Sequence, residues 1–87
     1  MRDPIMVMYF AWVREKVGLS REELVPPQTV QTVADLIAWL RTRGPNYENA
    51  FATPNVIRSA INQTHVKASA SLDGAKEIAF FPPVTGG

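Results

Sequence analysis

Near its C-terminus the chain sets an apolar run, Ile78-Ala79-Phe80-Phe81, against Pro82-Pro83 and then reads Val84-Thr85-Gly86-Gly87. This junction constrains the fold more than any other stretch. Aromatic and branched residues in such a run form a buried strand. Proline cannot donate to a ladder, so pairing stops at Pro82 and the chain leaves the sheet as a stiff extended segment. The four residues beyond the prolines reach roughly 13 Å at ~3.3 Å each. Two terminal glycines place no Cβ beside the last carbonyl. Another protein can therefore close on the backbone, and a nucleophile can approach the acyl carbon. A frayed terminus is the competing reading, but the strand and prolines before the glycines favour a flexible tail, residues 82–87, shaped to enter a pocket elsewhere. Its working group is then the Gly87 carboxylate. A free carboxylate is a poor acyl donor and needs activation, for instance as an acyl-adenylate, before sulfur or an amine can replace the leaving group.

The rest of the composition narrows the choices. Eighty-seven residues suit one small domain, 1–87, with an adequate but thin core. A hydrophobic content of 46% with 20% charged residues is that of a globular chain. The net charge is +1 and the basic residues are scattered, which gives nucleic-acid binding little support. No apolar run approaches the ~18 residues of a membrane span and no signal peptide is visible, so the expected location is cytoplasmic, without membrane contact. With no cysteine, disulfides, thiol nucleophiles and thiolate metal sites are excluded. If the protein handles sulfur, the sulfur rides on something other than a Cys side chain, and the C-terminal carboxylate is the evident candidate.

Read in order, Met1 to Pro4 is a loose leader, with Met6 an alternative start. Ile5 to Trp12 is apolar throughout, as in a strand covered on both faces, although the pattern alone also admits a helical segment. Val13 to Gly18 reads as one or two helical turns closed by a C-cap glycine. Glu22 to Val25 is a short strand stopped by Pro26-Pro27, paired antiparallel to the first. The clearest element is a helix over residues 33–43. Thr32 is its N-cap, Asp35 completes a capping-box-like start, and Val33, Leu36, Ile37 and Leu40 form one apolar face. Gly44 and Pro45 end it. Residues 45–55 form a connector with a helical turn at 47–51. Val56 to Ile61 and His65 to Lys67 are strands around a turn at Asn62-Gln63-Thr64, and Asp73-Gly74 turns the chain into a strand over Glu77 to Phe81. The pattern is α+β, a mixed sheet with one main helix packed on one face.

Strand alternation sends one member of each aromatic doublet, Tyr9-Phe10 and Phe80-Phe81, to each sheet face. Phe10 and Phe81 are the expected outward pair, forming a partner surface beside Pro82 and Pro83. The competing reading places both faces in the core. His65, the single histidine, has no second histidine or cysteine for a metal site and reads as a surface or interface side chain.

Three stretches, MVMYFAWVREKVG, INQTHV and EIAFFPPVTGG, resemble the small subunits of molybdopterin synthase, ubiquitin-like sulfur carriers with a β-grasp fold. The resemblance runs from Met6 to Gly87. It implies that an ATP-using, E1-like adenylating enzyme activates Gly87 and that a sulfur donor protein then supplies the atom for a thiocarboxylate. Residues Val84, Thr85, Gly86 and Gly87 would insert into the large catalytic subunit, in a heterotetramer of two copies of each, and donate sulfur to cyclic pyranopterin monophosphate. Two transfers would build the dithiolene. The small subunit would bind no cofactor and would not be an enzyme alone. Three alternatives stay open: the sulfur carrier of thiamin thiazole synthesis, a ubiquitin-like modifier joined to lysines, and a β-grasp interaction module with an incidental terminal glycine pair.

Overall fold

The computed structural model describes residues 2–83, leaving Met1 and residues 84–87 outside the described residues. Five strands, β1 (Ile5–Tyr9), β2 (Arg21–Leu24), β3 (Arg58–Ile61), β4 (Thr64–Val66) and β5 (Glu77–Phe81), form one mixed sheet. Their order is β2-β1-β5-β3-β4, so the last strand lies at the centre. It runs parallel to β1, with Tyr9 beside Phe80, and antiparallel to β3, with Arg58 beside Phe81. Central placement follows from its composition. Ile78 and Phe80 are both completely buried, and a strand with two such residues needs neighbours on each side. β1 and β2 pair antiparallel as expected, Ile5 opposite Leu24.

The covered face is built from α2 (Val33–Arg41), α1 (Ala11–Val17) and α3 (Pro45–Ala50). Thr32 and Asp35 form a reciprocal capping box, with Asp35 N donating to Thr32 Oγ1 over 3.1 Å and Thr32 N to Asp35 Oδ2 over 3.2 Å. Two orphan donors of the first turn are thereby satisfied. Val33, Leu36, Ile37 and Leu40 bury the predicted stripe against Ile5, Val7, Tyr9, Ile78 and Phe80. At the centre the rings of Tyr9, Phe51 and Phe80 lie 5.2–6.4 Å apart.

Several boundaries differ from the expectation, each for a local reason. β1 stops at Tyr9, not Trp12, because Ala11 adopts φ 53° and turns the chain into α1. Phe10 is therefore the N-cap of a helix and lies outside the strand. Gly18, in the left-handed region at φ 90°, closes α1 as read from the sequence. α2 ends at Arg41, two residues early, where the Thr42 hydroxyl donates to the Trp39 carbonyl. Pro45 does not lie in a connector but opens α3, a position that needs no amide donor. Arg41 then grips Glu48 through two nitrogens at 3.0 and 2.7 Å. Pro54–Val56 forms a 3-10 turn, so β3 begins at Arg58. Asn62 and Gln63, at φ 49° and 71°, make a two-residue hairpin turn that leaves Thr64 in β4 and Lys67 beyond it.

Candidate docking face and the root of the tail

The alternation of the central strands exposes a second face. Ile5, Val7 and Tyr9 point into the core, so Met6 and Met8 point away, half-buried. On β5 the outward residues are Glu77, Ala79 and Phe81. The register aligns Met8 with Ala79 and Ala79 with Ala60, while His65 lies opposite Ala60. The result is an apolar strip of Met6, Met8, Ala79, Ala60 and Phe81, bordered by exposed Arg21 and Glu23 on β2 and His65 on β4. Sequence reasoning singled out the phenylalanines and missed Met6, Met8, Ala60 and Ala79. The missing signal was the same two-residue alternation applied to methionine and alanine.

Phe81 is half-buried on this face, its ring edge-on to His65 with centroids 5.3 Å apart. Phe10 is 46% exposed. Although beyond β1, it continues the ladder, since its N–H donates to the Phe80 carbonyl over 3.0 Å. The parallel register ends with Tyr9 beside Phe80, so Phe10 stands one residue past the last pair, at the C-terminal end of β5. Past Phe81 the ladder ends; Pro82 is half-buried and Pro83 exposed. Val84, Thr85, Gly86 and Gly87, and the expected mobility of the tail, lie outside the described residues.

Entry into β5 is held by a residue the sequence reading placed only in a turn. Asn62 Oδ1 accepts from the Lys76 and Glu77 amides at 2.9 and 3.1 Å, and its Nδ2 donates to the Gly74 carbonyl over 3.2 Å. The hairpin turn thus sets the point from which the last strand runs toward the prolines.

On the covered face, Glu22 gathers three partners. Tyr9 Oη donates to its carboxylate over 2.9 Å, Tyr47 Oη over 2.6 Å, and the Arg43 guanidinium over 3.1 Å. Burial alone would raise the Glu22 carboxyl, but the two hydroxyls and Arg43 outweigh it and hold the group below the usual range. Burial, followed by the bond to Glu22, pushes Tyr47 up to about 12 and Tyr9 further in the same direction. These are pairings that stabilise a fold, not a poised acid and base. Among the described residues no group of three His, Cys, Asp or Glu side chains could hold a metal ion, and no helix is long and apolar enough to cross a membrane.

A five-stranded mixed sheet with its final strand central and helices on one face defines a ubiquitin-like β-grasp protein. Solved structures agree: a Pyrococcus furiosus chain provisionally described as molybdopterin converting factor, subunit 1, superposes with TM-score 0.74 at 27% identity, covering 93% of this chain and 98% of that one. Small archaeal modifier protein 1 of Haloferax volcanii shares the fold, with TM-score 0.71 at 21% identity over 98% of this chain and all of that one. The chain belongs to the ThiS family, whose model matches residues 7–87. It is 36% identical over 83 residues to the molybdopterin synthase sulfur carrier subunit of Escherichia coli, covering 95% of this chain and 99% of the relative. The Haemophilus influenzae protein of the same name is 34% identical over 82 residues, covering 93% and 96%.

Proposed function

We propose that this chain is the sulfur carrier subunit of a molybdopterin synthase, with the sulfur borne on Gly87. The observation that carries the reading is the near-complete match to curated relatives of that name, together with a family match that runs through Gly87. The geometry supports it. β5 lies at the sheet centre and ends against Pro82 at the border of an apolar face, so a partner that docks on Phe10, Phe81 and the methionines also stands over the root of the tail.

In this reading an E1-like enzyme uses ATP to convert the Gly87 carboxylate to an acyl-adenylate, releasing pyrophosphate. A sulfur donor protein supplies sulfur as hydrosulfide, which attacks the acyl carbon and displaces AMP, leaving a thiocarboxylate. The tail enters the large catalytic subunit, where the thiocarboxylate sulfur bonds to cyclic pyranopterin monophosphate. Water then cleaves the acyl carbon–sulfur bond, which leaves the sulfur on the substrate and returns the carrier to its carboxylate. All three chemical steps belong to partners; the carrier supplies reach, an unhindered acyl group and a docking face, in the cytoplasm.

The intact mass of the chain isolated from its own host tests the proposal. Part of the population should be heavier by the replacement of one oxygen by sulfur. Deleting Gly87, or adding one residue after it, should abolish sulfur transfer with an unchanged circular dichroism spectrum. Full activity with a blocked C-terminus would overturn the assignment of Gly87. A ladder of conjugates in host lysate, without the heavier species, would replace the carrier reading with that of a protein modifier.

A further inference from the structure

A cleft of about 440 Å³ opens between α2 and the β3–β4 hairpin, on the side of the sheet opposite the proposed docking face. Its origin is local. Ala34 and Ala38, one helical turn apart on α2, are too short to cover the sheet beyond Ile37, and the Pro54–Val56 turn stands off from them. The volume lies within the range of small-molecule sites.

Two features of the lining point to a ligand. Among the described residues Ser59 is the buried polar side chain, only 6% exposed, and its register beside Phe80 directs it to the helix side of the sheet. Among the described residues its hydroxyl makes no side-chain hydrogen bond, yet no sealed side-chain oxygen or nitrogen lacks a partner. The Ser59 oxygen is therefore reached from the cleft, a buried hydroxyl with a bond still to make. The second feature is charge. The lining includes Arg41, Arg58 and Lys67 and no acidic residue. Arg41 is occupied by Glu48, and Arg58, opposite Phe81 in the ladder, belongs to the other face of the sheet, but among the described residues Lys67 forms no salt bridge.

We propose that this cleft binds a small organic acid: an apolar body against Ile37, Ile57 and Val66, and an anionic group that accepts from Ser59 and Lys67. An acidic peptide presents the same chemistry. The three-residue edge of β4, Thr64–Val66, offers an incoming strand little backbone to pair with, which favours the free acid. The site is independent of the sulfur tail, so its test stands or falls apart from the carrier reading.

The experiment is a titration of the full chain with 3-phenylpropanoate, followed by amide chemical shifts. Saturable shifts at Ala38, Ser59, Val66 and Lys67 are expected. The neutral 3-phenylpropan-1-ol should bind about tenfold more weakly, because it forfeits the charge-assisted bonds. Ala38→Leu, at an exposed helical position, should fill the cleft and abolish binding with an unchanged melting temperature. Ser59→Ala and Lys67→Gln should each weaken the acid while leaving the alcohol unaffected. Absence of saturable shifts up to the solubility limit, equal binding of acid and alcohol, or full binding by Ala38→Leu would each overturn the proposal. Tighter binding of acetyl-Leu-Glu-Val-amide than of the free acid would overturn the assignment to a small acid.

Discussion

Phe80 and Phe81 are neighbours in sequence and belong to different faces of one sheet. Phe80 is completely buried, stacked with Tyr9 and edge-on to Phe51, while Phe81 is half-buried and meets only His65 among ring partners of the described residues. The same contrast runs along β1, where Val7 and Tyr9 are sealed and Met6 and Met8 are half-exposed. On the covered face Glu22 is both half-buried and paired, serving two tyrosines and an arginine. On the open face, charges stand at the border of an apolar strip. One face holds the domain together, and the other presents the apolar strip proposed above as the docking face.

Truncation of the two phenylalanines separates these roles. Phe80→Ala should cost about 3–5 kcal/mol, as expected for an aromatic removed from a packed core, with a fall in urea midpoint and no defect specific to partner binding. An unaffected midpoint would mean that the core does not depend on the Tyr9–Phe51–Phe80 cluster.

The Glu22 cluster sharpens the covered side. Glu22→Ala should destabilise by about 2–3 kcal/mol, because the buried Tyr9 and Tyr47 hydroxyls lose their acceptor. The pH dependence has a definite sign. The folded carboxyl lies below its ordinary value of 4.5, so its contribution is present above that value and is lost as pH falls through the lower folded one. Tyr47, raised from 10.0 to about 12, acts oppositely: stability declines as pH climbs across that interval. Denaturant midpoints measured from pH 2 to pH 12 check both limbs. An acid limb unchanged in the Glu22→Ala variant would assign it to other carboxylates.

On the open side the expected effect is on association. Phe81→Ala should weaken binding to the large subunit about 30-fold or more, the result of losing ~2 kcal/mol at an interface anchor, with a smaller change in stability than Phe80→Ala. Calorimetric titration with the purified large subunit measures it. Unchanged affinity with a lowered melting temperature would return Phe81 to the core and move the docking face elsewhere.

The parts of this protein that sequence alone determined are those decided within a few residues. Thr32 and Asp35 close a capping box across one helical turn, Gly18 supplies a left-handed cap, and Pro82-Pro83 removes the donors a ladder needs; each acts on its own backbone. The alternation in β5 likewise assigned Phe80 and Phe81 to opposite faces without reference to the rest of the chain. Tertiary structure decided what depends on neighbours distant in sequence. Ala11 adopts a positive φ with no glycine to announce it, so the apolar run from Ile5 looked like one strand where β1 gives way to α1. Glu22 read as an ordinary strand acid because its partners, Tyr9, Arg43 and Tyr47, come from three other segments. Pro45 is compatible with ending one helix or opening the next, and the pairing of Arg41 with Glu48 holds the second helix in place. Backbone preferences reach across a turn or a pleat, whereas burial and the choice of polar partner are properties of the packed chain, and no local pattern encodes them.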